Sequence, residues 1–362
     1  MPTARAAVLP AAREPLAVDT LKVRDPRDGE VLVRIGASGV CHSDLHAITG
    51  DLPMPTPCVL GHEGAGTVEA VGSGVRHVAV GDHVVLNWVP FCGACWYCQS
   101  GRNYLCETGY VKAMGAEVFH QNGTTVNQFA GVGSMAEYTV VPESACIPIG
   151  ADVPLDRACL IGCGVMTGVG AVINTARVQP GESVAIFGAG GVGLNVVQGA
   201  QIAGANPIIA IDLNERKLGF AKQFGATHTI NAGSTDPVSA IQDLTTGRGV
   251  DYAFEVIGRA DVVMQAFMAV RRGGRAVVVG VPPAMEMFSL PGMLFPLAEK
   301  SLIGSLYGSS LMARDVPRLI DLYRAGRLKL DELITRRYPL TQVGDAFAAM
   351  EKGEVARAVL VF

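Results

Sequence analysis

Apolar and polar positions alternate in two different ways along this chain. Up to about residue 160, short β-branched runs such as EVLVRIGASGV, GTVEAVGSGV, DHVVLNWV and AEYTVVP are punctuated by Gly and Pro, a pattern that predicts a β-rich region of turn-separated strands. After about residue 165, the strand-like runs SVAIFG, PIIAID, THTIN, DYAFEVIG, RAVVVG and SLIGSL alternate with stretches of helical periodicity. Strand and helix in alternation predict a doubly wound sheet of six parallel strands. Beyond about residue 305, RDVPRLIDLYRAGRL and VGDAFAAMEKGE read as amphipathic helices, and ARAVLVF as a last strand. The expected fold class is therefore α/β, with a β-rich domain over 1–164, a nucleotide-binding domain over 165–304 and a tail over 305–362 that returns to the first domain.

Composition narrows the function classes. With 362 residues, 49% hydrophobic and 17% charged, the chain is long enough for two well-filled cores and is not of disordered or fibrous type. A formal net charge of -4 without an extended Lys/Arg run gives no electrostatic footprint for nucleic acid or an anionic membrane, so a small-molecule partner is expected. The segment Ser183–Ile211 carries no charged residue, more than the ~20 residues that span a bilayer. Its seven Gly and Pro residues, with Asn195, Gln198, Gln201 and Asn206, fit a buried strand–turn–helix–strand better. The N-terminus lacks an apolar secretory core, which places the expectation in the cytoplasm. Nine cysteines in that compartment favour metal ligation over disulfides.

Within SVAIFGAGGVGLNVVQGAQIAGANPIIAID, Gly188, Gly190 and Gly193 form GxGxxG between a strand and a helix. A tight turn, close backbone approach to a pyrophosphate and close packing of helix on sheet each call for glycine there. The helix N-terminus then offers N–H groups and partial positive charge to phosphates. The next strand ends in Asp212, nineteen residues after Gly193, where an acid binds a ribose 2′-OH and repels a 2′-phosphate; NAD is favoured over NADP. Lys217, one turn into the following helix, is placed either to reach the adenosine ribose or simply as a solvated helix-face lysine.

Two cysteine patterns point to metal. Cys92, Cys95, Cys98 and Cys106 form CxxCxxCx7C; four sulfurs leave no open position on tetrahedral zinc, so the site is expected to be structural. A redox CxxC usually accompanies a thioredoxin-like pattern, absent here, and a nucleic-acid finger wants more basic residues than Arg102 and Lys112. The spacing also suits an iron–sulfur cluster. Cys41 in GVCHSDLH, His62 in LGHEGAG and Cys163 in LIGCGVMTG are more scattered. Singly, each reads as a buried thiol or a hydrogen-bonded histidine; together, one His and two Cys without a fourth local ligand suggest an open, catalytic zinc site.

These motifs, with FGAGGVG, IDLN and ARAVLVF, occur in an order in which the chain resembles the zinc-dependent alcohol dehydrogenases of the medium-chain dehydrogenase/reductase superfamily, over essentially its full length. The resemblance implies a GroES-like catalytic domain bearing the structural-zinc loop 92–106, and a Rossmann NAD-binding domain. It implies that Cys41, His62 and Cys163 ligate the catalytic zinc, with Glu63 as the nearby acid or transient ligand. Ser43 matches the hydroxyl that meets the substrate alcohol, and His46 the outer end of a proton relay. For the cofactor it implies His42 and Arg357 at the pyrophosphate, Thr167 and Val192 on the nicotinamide, and Gly191, Val279 and Val281 among the remaining contacts. The chemistry implied is hydride transfer between an alcohol acidified by zinc and NAD, giving aldehyde or ketone.

The match departs at one branch. The glutathione-dependent formaldehyde dehydrogenases use acidic residues at the pocket mouth and an arginine after the four-cysteine loop, where this chain has Leu52 and Tyr110. Asp51, next to Leu52, keeps the adduct reading open, and a polyol dehydrogenase is the other enzymatic alternative. A non-enzymatic zinc protein is the remote one. Leu52 and Trp88 align with pocket-lining positions and imply an apolar alcohol, aromatic or medium-chain. The long segment between Cys106 and MAEYTVV resembles the dimeric, animal-type branch, so a homodimer is expected. Cys58, Cys146 and Cys159 read as buried free thiols.

Overall fold

The computed structural model describes residues 2–362. They divide into two compact units, one made of residues 2–164, 311–324 and 330–362, the other of 165–310 and 325–329.

In the first unit, strands Thr3–Leu9, Ala17–Val23, Phe119–Gln121, Thr124–Gln128 and Cys58–Val59 close into a small barrel. Alternating positions point inward, and Ala6, Val8, Leu21, Val23, Val59, Phe119 and Val126 fill it. Phe119, fully buried, contributes about 1.5–3 kcal/mol by leaving water. The rest of the unit is built on a seven-stranded sheet. Its order is Cys146–Ile149, His83–Leu86, Glu63–Val71, Glu30–Gly39, Arg357–Val361 and Ile334–Pro339, with Tyr138–Pro142 also pairing Glu30–Gly39. The last strand of the chain runs antiparallel to Glu30–Gly39, with Val359 opposite Gly39 and Val361 opposite Ala37. That pairing puts the C-terminal Arg357 in the same layer as the strand that leads to Cys41.

The second unit holds the six predicted strands. They run parallel in the order His228–Asn231, Ile208–Asp212, Val184–Phe187, Val250–Glu255, Val270–Val278 and Ser301–Gly304. Both their near-continuous apolar runs and this reversing order belong to the doubly wound architecture. The charge-free stretch resolves into strand Val184–Phe187, helix Gly191–Ala203 and strand Ile208–Asp212. One other helix among the described residues, Leu155–Ala176, is long and apolar enough to cross a membrane, but 78% of its apolar window is buried within the protein. It reads as a core helix.

Candidate metal and cofactor sites

Strand register assembles the first site. Gly39 stands opposite Glu63 in the antiparallel pair Glu30–Gly39 and Glu63–Val71. Cys41, two residues past the first strand, and His62, one residue before the second, therefore leave the sheet at the same edge. Cys41 keeps extended backbone and opens the helix His42–Thr49. A side chain at Gly39 would collide with the Glu63 carboxylate, which is why glycine stands there. Cys163 arrives from the helix Leu155–Ala176, in a turn of wide, π-type hydrogen bonding at Ile161–Val165, a distortion often found where a helix carries function.

The ligand atoms of Cys41, His62, Glu63 and Cys163 all lie within 4.8 Å of one another, and all four residues are buried. Contact with Cys163, ahead of the cost of burial, holds the Cys41 thiol well below its usual range. Burial alone would push His62 down, but Asp44 and Cys41 on either side keep it well above the ordinary histidine value. His62 Nδ1 is 3.1 Å from Asp44 Oδ2, and Nε2 is buried with no hydrogen-bond partner among the described residues. A thiolate, a second thiol and an orphaned imidazole nitrogen converging in a buried cluster are the donor set of a soft divalent metal. The residues present fit zinc.

Behind this set, Asp44 has no exposed surface, and its Oδ1 accepts the Gly61 N–H at 2.8 Å. Glu63 is fully buried as well; its Oε1 accepts the Gly164 N–H at 3.0 Å, and its Oε2 pairs with the Arg357 guanidinium. Burial, partly offset by Arg357, pushes the Glu63 carboxyl up to about 7. Arg357, which the resemblance puts at the pyrophosphate, is 5% exposed and donates to Glu63 and to the Val40 carbonyl. The rings of Trp88 and Phe129 meet His62 edge-on at centroid separations of 6.2 and 5.4 Å.

Helix His42–Thr49 carries the other polar residues. Ser43 and His46 are half-buried and His42 exposed. The i, i+3 spacing sets Ser43 and His46 on one face. Ser43 Oγ is 3.8 Å from Cys41 Sγ, and His46 Nδ1 is 3.5 Å from Asp51 Oδ2. Asp51 also accepts from the Thr49 hydroxyl at 2.7 Å. Leu52 is exposed and Trp88 half-buried, and Trp88 meets Tyr110 edge-on at 6.5 Å.

The four-cysteine loop is a second cluster. Its sulfurs likewise lie within 4.8 Å of one another, with Cys92 exposed, Cys95 and Cys98 half-buried and Cys106 buried. Backbone N–H groups already point at them: Ala94 and Cys95 donate to Cys92 Sγ at 3.4 and 3.3 Å, and Cys92 and Gly109 donate to Cys106 Sγ, each at 3.3 Å. Hydrogen bonds from Thr108 and from those amides lower the Cys92 thiol to about 5. Such a cage of polarised sulfurs also fits a closed tetrahedral metal.

In the second unit, Gly188 has φ +105°, and a Cβ at Gly193 would collide with the Gly188 carbonyl; the turn accepts no side chain at either place. Asp212, at the end of its strand, accepts from Ala189 N–H at 2.8 Å and Asn214 N–H at 2.9 Å. Its carboxylate thereby ties the glycine turn to the neighbouring strand. Gly190 has open space on its side-chain side, and Gly191 and Val192 begin the helix Gly191–Ala203. Thr167 and Lys217 are half-buried, Val279 is buried and Val281 exposed.

Two residues were passed over in the sequence although the structure sets them against His62. Asp44 had a usable signal, an acid inside the Cys41 motif; Phe129 had none, since a long segment separates it from every motif.

Comparison with known proteins agrees with this architecture. Residues 27–151 match the family model described as alcohol dehydrogenase GroES-like domain, and residues 191–325 the one described as zinc-binding dehydrogenase. The alcohol dehydrogenase class-3 of Dictyostelium discoideum is 40% identical over 380 residues, spanning 99% of this chain and 97% of that protein. Benzyl alcohol dehydrogenase from Acinetobacter calcoaceticus superimposes with a TM-score of 0.94 at 34% identity, over 100% of both chains. A Sinorhizobium meliloti structure bound to NADP does so with a TM-score of 0.83 at 27% identity, again over 100% of both. With each half of the sequence matched and a relative of this identity along its whole length, the chain belongs to the zinc-dependent alcohol dehydrogenases of the medium-chain dehydrogenase/reductase superfamily, a family of oxidoreductases.

Proposed function

We propose that this chain catalyses the reversible oxidation of a primary, apolar or aromatic alcohol with NAD, holding a catalytic zinc at Cys41, His62 and Cys163 and a structural zinc at Cys92, Cys95, Cys98 and Cys106. The observation that carries the reading is the buried convergence of two thiols, one orphaned imidazole nitrogen and one carboxylate within 4.8 Å. Zinc bound there supplies a Lewis acid that lowers the pKa of a substrate alcohol, and NAD supplies the hydride acceptor.

The chain's own residues do the rest. Asp44 fixes the imidazole with its Nδ1 side toward the carboxylate, leaving Nε2 as the ligand atom. Arg357 balances the charge of Glu63, a carboxyl that burial has brought to about 7 and that can therefore exchange a proton near neutrality. Ser43 Oγ takes the hydroxyl proton, and His46, half-buried on the same helix face, passes it outward toward Asp51 and water. Trp88 and Phe129 exclude water beside His62 and give the pocket its apolar, aromatic lining. Thr167, Lys217, Val279 and Val281, with the Gly188–Gly193 turn, would form the cofactor's contacts in the second unit. NAD rather than NADP is supported by Asp212, whose carboxylate is anchored by two amides at the end of its strand and would repel a 2′-phosphate brought to it.

With benzyl alcohol and NAD, NADH absorbance is expected to rise and a zinc chelator to stop it. Protein that carries zinc and binds NAD yet turns over no alcohol or aldehyde overturns this reading. A glutathione-adduct activity is the second reading, supported by the class-3 relative. Against it, Leu52 and Tyr110 are uncharged, and Asp51 is occupied by Thr49 and His46; comparing S-hydroxymethylglutathione with benzyl alcohol as substrates separates the two.

A homodimer fits the open edge strand Ser301–Gly304 and the exposed Met285, Met287, Met293 and Leu297 that precede it. A cytoplasmic setting fits nine cysteines that form no disulfide among the described residues.

A further inference from the structure

We propose that Glu255 is a positioning residue for the nicotinamide end of the cofactor, a role that rests on the NAD reading above. Its backbone carbonyl and its carboxyl hold the two glycine-bearing turns that close the carboxyl edge of the sheet beside Gly188.

Ligands of doubly wound sheets bind outside the carboxyl ends of the strands, where the order reverses. Glu255 is the last residue of the strand Val250–Glu255, in register with Phe187, which precedes Gly188, and with Val278, which precedes Val279. Its carbonyl accepts the N–H groups of Val279 at 2.8 Å and Gly280 at 3.0 Å. Its side-chain Oε1 accepts those of Ile257 at 2.8 Å, Gly258 at 2.7 Å and Arg259 at 3.4 Å. One residue thus grips both turns.

At their glycines the turns have no side chain to set their spacing. A Cβ on Gly258 would collide with the Val281 carbonyl, one on Gly280 with the Gly258 amide, and one on Gly188 would come within 2.7 Å of Ile257 Cγ1. Where backbone meets backbone this closely, the carboxyl is the spacer. It is not a helix cap. The helix Ala260–Ala269 begins after the three amides it receives, and the Ala260 N–H donates to Glu286 instead. Glu255 has no exposed surface, and Oε2 is buried without a hydrogen-bond partner among the described residues. A lone buried charge is costly, and burial accordingly pushes this carboxyl up. The three amides at Oε1 pull the other way.

The test compares NADH with ADP-ribose, which lacks the nicotinamide, on the full zinc-loaded chain. Glu255→Asp, one methylene short of the amides, is expected to weaken NADH about tenfold while leaving ADP-ribose unchanged. Glu255→Gln, which keeps length and acceptor, is expected to bind both as the parent does. Gly258→Ala, which wedges the turns apart while leaving the Glu255 side chain in place, should reproduce the selective loss. Parallel loss of both ligands in these variants, or undiminished NADH binding by Glu255→Asp and Gly258→Ala, overturns the proposal and leaves the NAD reading standing. Failure of the parent chain to bind NADH overturns both.

Discussion

The two cysteine sites of the first unit hold their ligands by opposite means. In the loop, all four sulfurs come from fifteen residues, Cys92 to Cys106, and the loop's own amides aim at them. That site is nearly self-contained and lies at the surface. In the buried cluster, Cys41 and Cys163 are separated by 122 residues, and they meet through strand register, a distorted helix and a buried Glu63–Arg357 pair. That site exists only in the finished fold. A local cage suits a metal that has only to hold a loop, whereas an assembled one can leave an open position facing substrate. Losing the metal proposed for each should therefore have opposite consequences.

The largest expected effect is on the assembled site. Cys163→Ala should lower the zinc count by one per chain and cut turnover by at least about a thousandfold, with little change in the melting temperature. Metal analysis, steady-state kinetics and a thermal melt on the same preparation check this. A variant that keeps its zinc and its turnover would move the chemistry away from Cys163 and erase the contrast.

How much of this could be read in the sequence follows the same division. The loop was legible as a unit because all its ligands are adjacent, and the GxGxxG turn because strand, glycines and helix follow one another. The six parallel strands were legible because burial on both faces makes their apolar runs nearly continuous. The set Cys41, His62 and Cys163 became readable only when scattered motifs were taken together. What surrounds it was hidden. Asp44 looks like any helix-surface acid until the chain brings His62 to 3.1 Å, and Phe129 gains its place only when Phe119–Gln121 and Thr124–Gln128 close the barrel. The pairing of Arg357 with Glu63 was hidden as well, because sequence cannot reveal that the strand Arg357–Val361 sets this residue in a layer where Glu63 is already buried.

Asp44 gives the next prediction, aimed at how the assembled site depends on residues that touch no metal. Asp44→Asn preserves shape but removes the charge beside His62 Nδ1. A fall in catalytic-zinc affinity of about 10–100-fold is expected, measured by competition with a calibrated chelator. The loop's zinc should be unaffected. Equal weakening at both sites would mean that Asp44 supports the fold as a whole and not the imidazole.

The smallest effect concerns the loop, where stability rather than turnover should respond. Cys98→Ser is expected to lose one zinc and to lower the melting temperature by roughly 10 °C, with activity per folded molecule retained. Acid should imitate it. Folding lowers the Cys92 thiol to about 5 through Thr108 and the amides of Ala94 and Cys95, so its thiolate persists through neutral pH and is lost only as pH falls through that value. Because the metal binds thiolate and not thiol, zinc release from the loop should rise steeply near pH 5, and a chromogenic chelator follows it directly. If the loop's zinc instead left together with catalytic zinc at one common pH, the two sites would be a single cooperative system, and the separation between a local cage and an assembled one would fail.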